Sequence, residues 1–166
     1  MKNLKILASI LIILFTSRLI PHPPNFTILI ALSFYVPILF GRNHILSVVL
    51  SFAITDIYFG LHTISLFTWF SVFIVGFLAS FIKKNIFSRI LGASSGALIF
   101  FGITNFAVWF INGYDHNGVS SLIETYILGI PFLFYNIFST LIFSVIFEII
   151  YWIVKFDKKN KIVKFD

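Results

Sequence analysis

Cysteine is absent from all 166 residues, which removes disulfides, zinc thiolate sites, iron–sulfur ligation and thiol nucleophiles together. Charge is nearly as scarce. Asp, Glu, Lys and Arg make up 11% of the chain, where a soluble domain carries about 25%. No H-E-x-x-H metal motif and no phosphate-binding P-loop occur, so the chain does no ATP chemistry of its own. A separate soluble module has no room at this length. What remains is apolar: 59% of residues are hydrophobic, with 23 Phe and a mean hydropathy of +1.02. A water-soluble fold of this size could not hide that much hydrocarbon, so the expected solvent is lipid.

Prolines, glycines and short polar runs divide the chain into six apolar stretches. The expected fold is all-α, a bundle of six transmembrane helices. Span 1 runs over residues 4–20 and stops at Pro21-His22-Pro23-Pro24, because proline cannot continue a helix. Span 2 covers 26–40, span 3 covers 45–61, span 4 opens at Thr63 and ends before Lys83, and span 5 covers 90–111. Turn residues from Asn112 to Gly118 mark a loop. Span 6 lies within 121–154, too long for one straight crossing, and a break at Gly129 and Pro131 is expected there. The division is thus a membrane domain over 1–154 and a basic cytoplasmic tail over 155–166. The apolar start after Lys2 and Lys5 resembles a signal peptide, but no small-residue cleavage site follows, so it reads as a retained first helix.

The net charge of +6 and pI of 9.7 find their explanation in this threading rather than in nucleic acid. With the N-terminus inside, Lys2, Lys5, Arg42, Lys83, Lys84, Arg89, Lys155, Lys158, Lys159, Lys161 and Lys164 all fall on the cytoplasmic side, and Arg18 alone falls outside. Cytoplasmic excess of Lys and Arg sets orientation, so both termini are expected in the cytoplasm. The expected location is a bacterial cytoplasmic (inner) membrane.

Polar residues within the spans then need a reason, since a mid-membrane charge costs at least ~2.5–3.5 kcal/mol on insertion scales. Asp56 lies eleven residues past the inner start of span 3, roughly 16 Å up at 1.5 Å per residue. Arg18 reaches a similar depth from span 1. An Arg18–Asp56 pair follows, with two readings open: a lock between spans 1 and 3, or part of a cavity wall. His22, Asn25, His62, Asn105, Trp109, Glu124 and Tyr126 gather at the same outer level, as do Tyr114, Asp115 and His116 in the loop. Apolar walls with a few convergent polar groups are the usual form of a small-molecule site. Residue by residue, plainer explanations exist: Trp69, Trp109 and Tyr114 as interfacial anchors, and a histidine at a helix end as a cap. The collective asymmetry between a simple basic side and a mixed polar outer side favours a site. Glu148, in the inner part of span 6, reads as structural, reaching Lys83 or Arg89 or snorkelling to the interface.

Two motifs carry less. Gly92-Ala-Ser-Ser-Gly96 matches the G-x-S-x-G elbow of serine hydrolases, but that elbow needs a strand before it. Inside an apolar helix the same residues form a small-residue stripe for close packing, the stronger reading. The three outer histidines have no ligand spacing, so no metal site is assigned. No catalytic residue and no cofactor is expected.

The run R-L-I-P-H-P-P-N-F-T from Arg18 to Thr27 resembles the signature of an uncharacterised bacterial family of six-helix membrane proteins described in terms of transport. The likeness continues through 56–62, 101–109 and 130–132. That family in turn is similar to the substrate-binding S components of energy-coupling-factor vitamin transporters. The resemblance implies capture of a small solute from the outer side, with a shared transmembrane subunit and two ATPases as energising partners. On this reading Arg18 and Asp56 form a polar floor, and Asn105 supplies directional hydrogen bonds. Trp109 and Tyr126 give stacking walls, while His22, Asn25, His62 and Glu124 line the mouth. The alternative from another class is a scaffold protein of the cell envelope whose polar cluster is internal glue. An intramembrane hydrolase is the weakest of the three.

Overall fold

The fold is a computed structural model that describes residues 2–82, 85–112 and 119–163, with side chains over 3–82, 85–111 and 121–153. Six α-helices follow in order: α1 (Lys2–Leu19), α2 (Leu29–Phe40), α3 (Ile45–Phe59), α4 (Ser65–Ala79), α5 (Ile86–Asn112) and α6 (Val119–Val163). A single 3-10 turn, Arg42–His44, joins α2 to α3. No strand occurs among the described residues. Lys83, Lys84 and the loop residues Tyr114, Asp115 and His116 lie outside the described residues, as do the side chains of the tail from 154 onward.

Local chemistry accounts for the helix ends. Pro21, Pro23 and Pro24 stop α1, and Asn25 turns the chain with a φ of 63°. Gly41 and Gly60 follow α2 and α3 at φ of 102° and 116°, a backbone region that an L side chain resists. Their N–H groups return to the carbonyls of Pro37 (3.0 Å) and Asp56 (2.8 Å), closing each helix.

The central element is α2. Every residue from Leu29 to Pro37 is buried, so this helix is apolar on all sides rather than on one stripe. It packs against α3, α4, α5 and α6, while α1 leans on α3. The core gathers around it: Leu32, Phe34 and Tyr35 from α2, Val48 from α3, Val72 and Val75 from α4, Ala93 and Ala97 from α5.

Small residues let the backbones approach. A Cβ on Gly92 would meet the Phe34 ring at 2.7 Å, and one on Gly96 would meet Val75 at 2.9 Å. The Gly92–Gly96 run sits within α5 and its glycines face packed neighbours, so it is a packing stripe and not a strand-to-helix elbow. Gly129 plays the same part. A Cβ there would lie 2.8 Å from Phe101 of α5. This corrects the expected break at Gly129 and Pro131: α6 is continuous from Val119 to Val163, with Pro131 inside it. The glycine is spent on close contact with α5 rather than on a bend. The helix also runs through residue 154 without interruption.

At the end where α5 begins and α6 finishes lies a buried ion pair. Arg89 donates through Nε to Glu148 Oε1 (2.6 Å) and through Nη2 to Oε2 (2.5 Å), and Tyr35 donates its hydroxyl to Oε1 (2.9 Å). The two charged side chains are 7% and 6% exposed. A forked guanidinium on a carboxylate is the strongest geometry available to such a pair. Arg89 is thus one of the partners expected for Glu148, and Lys83 lies outside the described residues.

The outward faces are hydrocarbon. Leu46, Leu50, Ile54, Ile57, Phe87, Leu91, Leu98, Phe134, Ile149 and Ile153 are all more than 45% exposed. Among the described residues two helices are long and apolar enough to cross a membrane, over Ile86–Ile111 and Ser121–Ile153.

Candidate functional site: a cavity where α1, α3 and α5 end

Where α1 and α3 finish and α2 and α4 begin, the helices part around a cavity of about 580 Å³. The second half of α5 and the first half of α6 complete its wall. Leu14, Leu29, Ile30, Phe52, Phe100, Val108, Leu128 and Phe132 supply the apolar lining.

One corner of the cavity is built around Asp56, which is 1% exposed. Its Oδ1 accepts from Arg18 Nη1 at 2.6 Å and its Oδ2 accepts from Trp69 Nε1 at 2.7 Å. The same Arg18 nitrogen also donates to Thr55 Oγ1 (2.8 Å), whose own proton goes to the Phe52 carbonyl (2.7 Å). The guanidinium lies over the rings of Phe52 and Phe59, at 5.3 and 5.4 Å. The carboxylate therefore ties α1, α3 and α4 together, and each of its oxygens has a charge-assisted or indole donor. This lock between helices also lines the cavity.

Elsewhere on the wall four of the hydroxyls are turned to their own helices. Ser17, Thr68, Thr104 and Thr125 each donate to a backbone carbonyl three or four residues earlier, leaving only lone pairs for the cavity. Asn105 donates Nδ2 to the Phe101 carbonyl (2.9 Å), which leaves its Oδ1 as an acceptor. Asn136 of α6 is 4% exposed, lines the cavity, and its amide makes no hydrogen bond among the described residues.

Of the residues singled out in the sequence, Arg18, Asn25, Asp56, His62 and Asn105 share this wall. His22, Trp109, Glu124 and Tyr126 stand off it. His22 is exposed and its Nδ1 lies 2.9 Å from the Pro23 carbonyl. Trp109 donates Nε1 to Ser121 Oγ (3.0 Å), which fastens α5 to the start of α6. Tyr126 donates its hydroxyl to the Gly102 carbonyl (2.6 Å) and packs edge-on against Phe101. Neither ring is left to stack on a bound molecule, since both are used in the α5–α6 seam. Glu124 is on the exposed face of α6. Sequence reasoning passed over Asn136 and the four hydroxyls, and it read Trp69 as an interfacial anchor rather than as a partner of Asp56. For Asn136 the signal was present: residues 136, 139, 140, 144 and 148 are all polar, all buried, and all on one face of α6.

The described residues contain no group of three or more His, Asp or Glu able to hold a metal ion. The arrangement offers no activated nucleophile. It offers an apolar chamber with a neutralised ion pair and a set of amide and hydroxyl contacts.

The sequence matches the family described as "Family of unknown function (DUF6580)" over residues 1–162. No curated protein and no solved structure matches the chain.

Proposed function

Taking as premise that the chain belongs to the DUF6580 family of unknown function, we propose that it is a six-span membrane protein that captures a small solute. The observation that carries this reading is the cavity of about 580 Å³ beside the Arg18–Asp56 pair. Its size falls within the range of about 300–1,000 Å³ common to ligand sites, and its lining has the usual apolar wall with few polar groups. The apolar outer faces of α1, α3, α5 and α6 support a lipid surround, because soluble monomers rarely expose contiguous patches beyond a few hundred Å². The twelve residues of α2 reach about 18 Å, short of a ~30 Å hydrocarbon layer. Its burial within protein removes the need to span the layer alone.

Lys5, Arg42 and Arg89 lie at the end of the bundle away from the cavity, which supports a cytoplasmic placement of that end. The cavity then opens toward the outside. Solute capture of this kind is comparable to the role of the S components that the R-L-I-P-H-P-P-N-F-T run resembles, and it would need an energising membrane subunit as partner.

Two measurements test the proposal. A thermal-stability screen of the purified protein against vitamins, nucleobases and divalent metals should find at least one solute that raises Tm with its concentration. At a hundredfold excess over Kd the stabilisation is about 2.7 kcal/mol. A screen without a single hit leaves the scaffold reading in its place. The natural lack of cysteine allows the topology to be read directly. A cysteine introduced at position 116 should react with an impermeant maleimide added to whole cells, and one at position 84 should not. The opposite pattern would place the cavity on the cytoplasmic side.

A further inference from the structure

The hydrogen-bonding inventory of the cavity is specific enough to name a ligand class. This step rests on the solute-binding reading above. Arg18 and Asp56, the two formal charges on the described wall, cancel each other at 2.6 Å. A charged solute would lose its hydration here and find no counter-charge that is not already engaged. An uncharged solute meets no such cost.

Polar groups left over define the rest. Asn136 keeps a donor (Nδ2) and an acceptor (Oδ1) side by side, with 4% exposure and no hydrogen bond among the described residues. An amide that lines the cavity with its donor and acceptor both unpaired is open to a bound molecule. Its natural complement is another amide edge, which presents a carbonyl and an N–H at the same spacing. Asn105 Oδ1 and the hydroxyl oxygens of Thr104 and Thr125 add three acceptors, the two hydroxyl protons and one Asn105 N–H being committed to α5 and α6 carbonyls. Three such acceptors beside the Asn136 amide favour a ligand with more than one N–H. On the donor side, Arg18 has Nε and Nη2 uncommitted among the described residues, suited to a second carbonyl. Phe52, Phe100 and Phe132 border the same space with flat apolar faces. Rings pack well against such faces, whereas a polyol would strand its hydroxyls there.

We infer that the cavity binds an uncharged cyclic amide or ureide, a flat nitrogen ring with N–H donors beside carbonyl acceptors, paired to the Asn136 amide and the Asn105 oxygen. The experiment uses the full-length protein in lipid nanodiscs, with uracil and 2-imidazolidinone as probes. Benzoate and benzylamine serve as charged controls of similar size. The cyclic amides should raise Tm in proportion to concentration and the charged pair should not. Asn136→Leu, which keeps the volume and removes both hydrogen-bonding atoms, should weaken binding by about tenfold or more. Thr104→Val keeps the side-chain shape and removes one acceptor, so it decides the matter if Asn136→Leu fails to fold; a severalfold weakening is expected. Undiminished binding in the variant that folds overturns the assignment. Stabilisation by benzoate or benzylamine above that by the cyclic amides overturns the ligand class and leaves solute capture standing. If neither probe set acts but another solute in the broad screen does, this inference alone falls. A broad screen with no hit at all removes both.

Discussion

Replacing Glu148 by Ala should cost about 3–5 kcal/mol of stability, the largest effect expected of any single substitution in this chain. The carboxylate is 6% exposed and receives the Arg89 fork together with the Tyr35 hydroxyl. Without it, a guanidinium at 7% exposure loses its counter-charge deep between α5 and α6, and the Tyr35 hydroxyl loses its acceptor on α2. The cost comes from the stranded charge more than from the lost attraction, which gives the prediction a second half. The double variant Arg89→Leu/Glu148→Leu should recover most of the loss, since well-packed apolar pairs often match buried ion pairs in stability. Denaturation curves in a mild detergent would read both. A Glu148→Ala protein within about 1 kcal/mol of the original would mean that water reaches the pair freely.

The Arg18–Asp56 pair should behave differently, because one partner is wet. Asp56 is 2% exposed at its side chain but Arg18, which also lines the cavity, is 21% exposed. Arg18→Gln strands a buried carboxylate that still has the Trp69 indole, and should cost about 2–4 kcal/mol. Asp56→Asn keeps an acceptor for Trp69 and leaves Arg18 to rehydrate through the cavity, so it should cost less, about 1–2 kcal/mol. The double substitution Arg18→Gln/Asp56→Asn should regain stability relative to Arg18→Gln alone, since no net charge then stays buried. It should also lose solute-dependent stabilisation, because the cavity corner has changed. Recovery of stability with solute binding intact would reduce the pair to a lock between α1 and α3. Thermal melts with and without solute on the four proteins of this cycle separate the two contributions.

Much of the architecture could be read from residue order. Proline clusters and glycine turns located five helices to within a few residues, because these residues act locally: Pro21 to Pro24 stop α1 and Gly41 and Gly60 close α2 and α3 whatever surrounds them. The Arg18–Asp56 contact was also legible, since an isolated charge at matching depth on two helices has few other partners. Where the reading went astray, tertiary packing decided the outcome. Gly129 and Pro131 look like a break in any one-dimensional reading. The proximity of Phe101 and Asn105 to Gly129, which makes glycine necessary in a straight helix, is information held on α5. Trp109 and Tyr126 were legible as aromatic groups at the right height, but which way each ring turns depends on Ser121 and on the Gly102 carbonyl. Asn136 lies past Pro131, beyond the outer-level residues, although its stripe of buried polar neighbours along α6 obeys helical spacing throughout.

The unbroken course of α6 carries a mechanical corollary. Gly129, Phe132 and Asn136 form part of the chamber wall, and Val163 lies 27 residues beyond Asn136 on the same rod, roughly 40 Å away at 1.5 Å per residue. A tilt of about 10° at the chamber would swing the far tip by about 7 Å, with no hinge along the way to absorb it. A tilt on one side of the bundle would thus be legible as displacement on the other, through leverage alone.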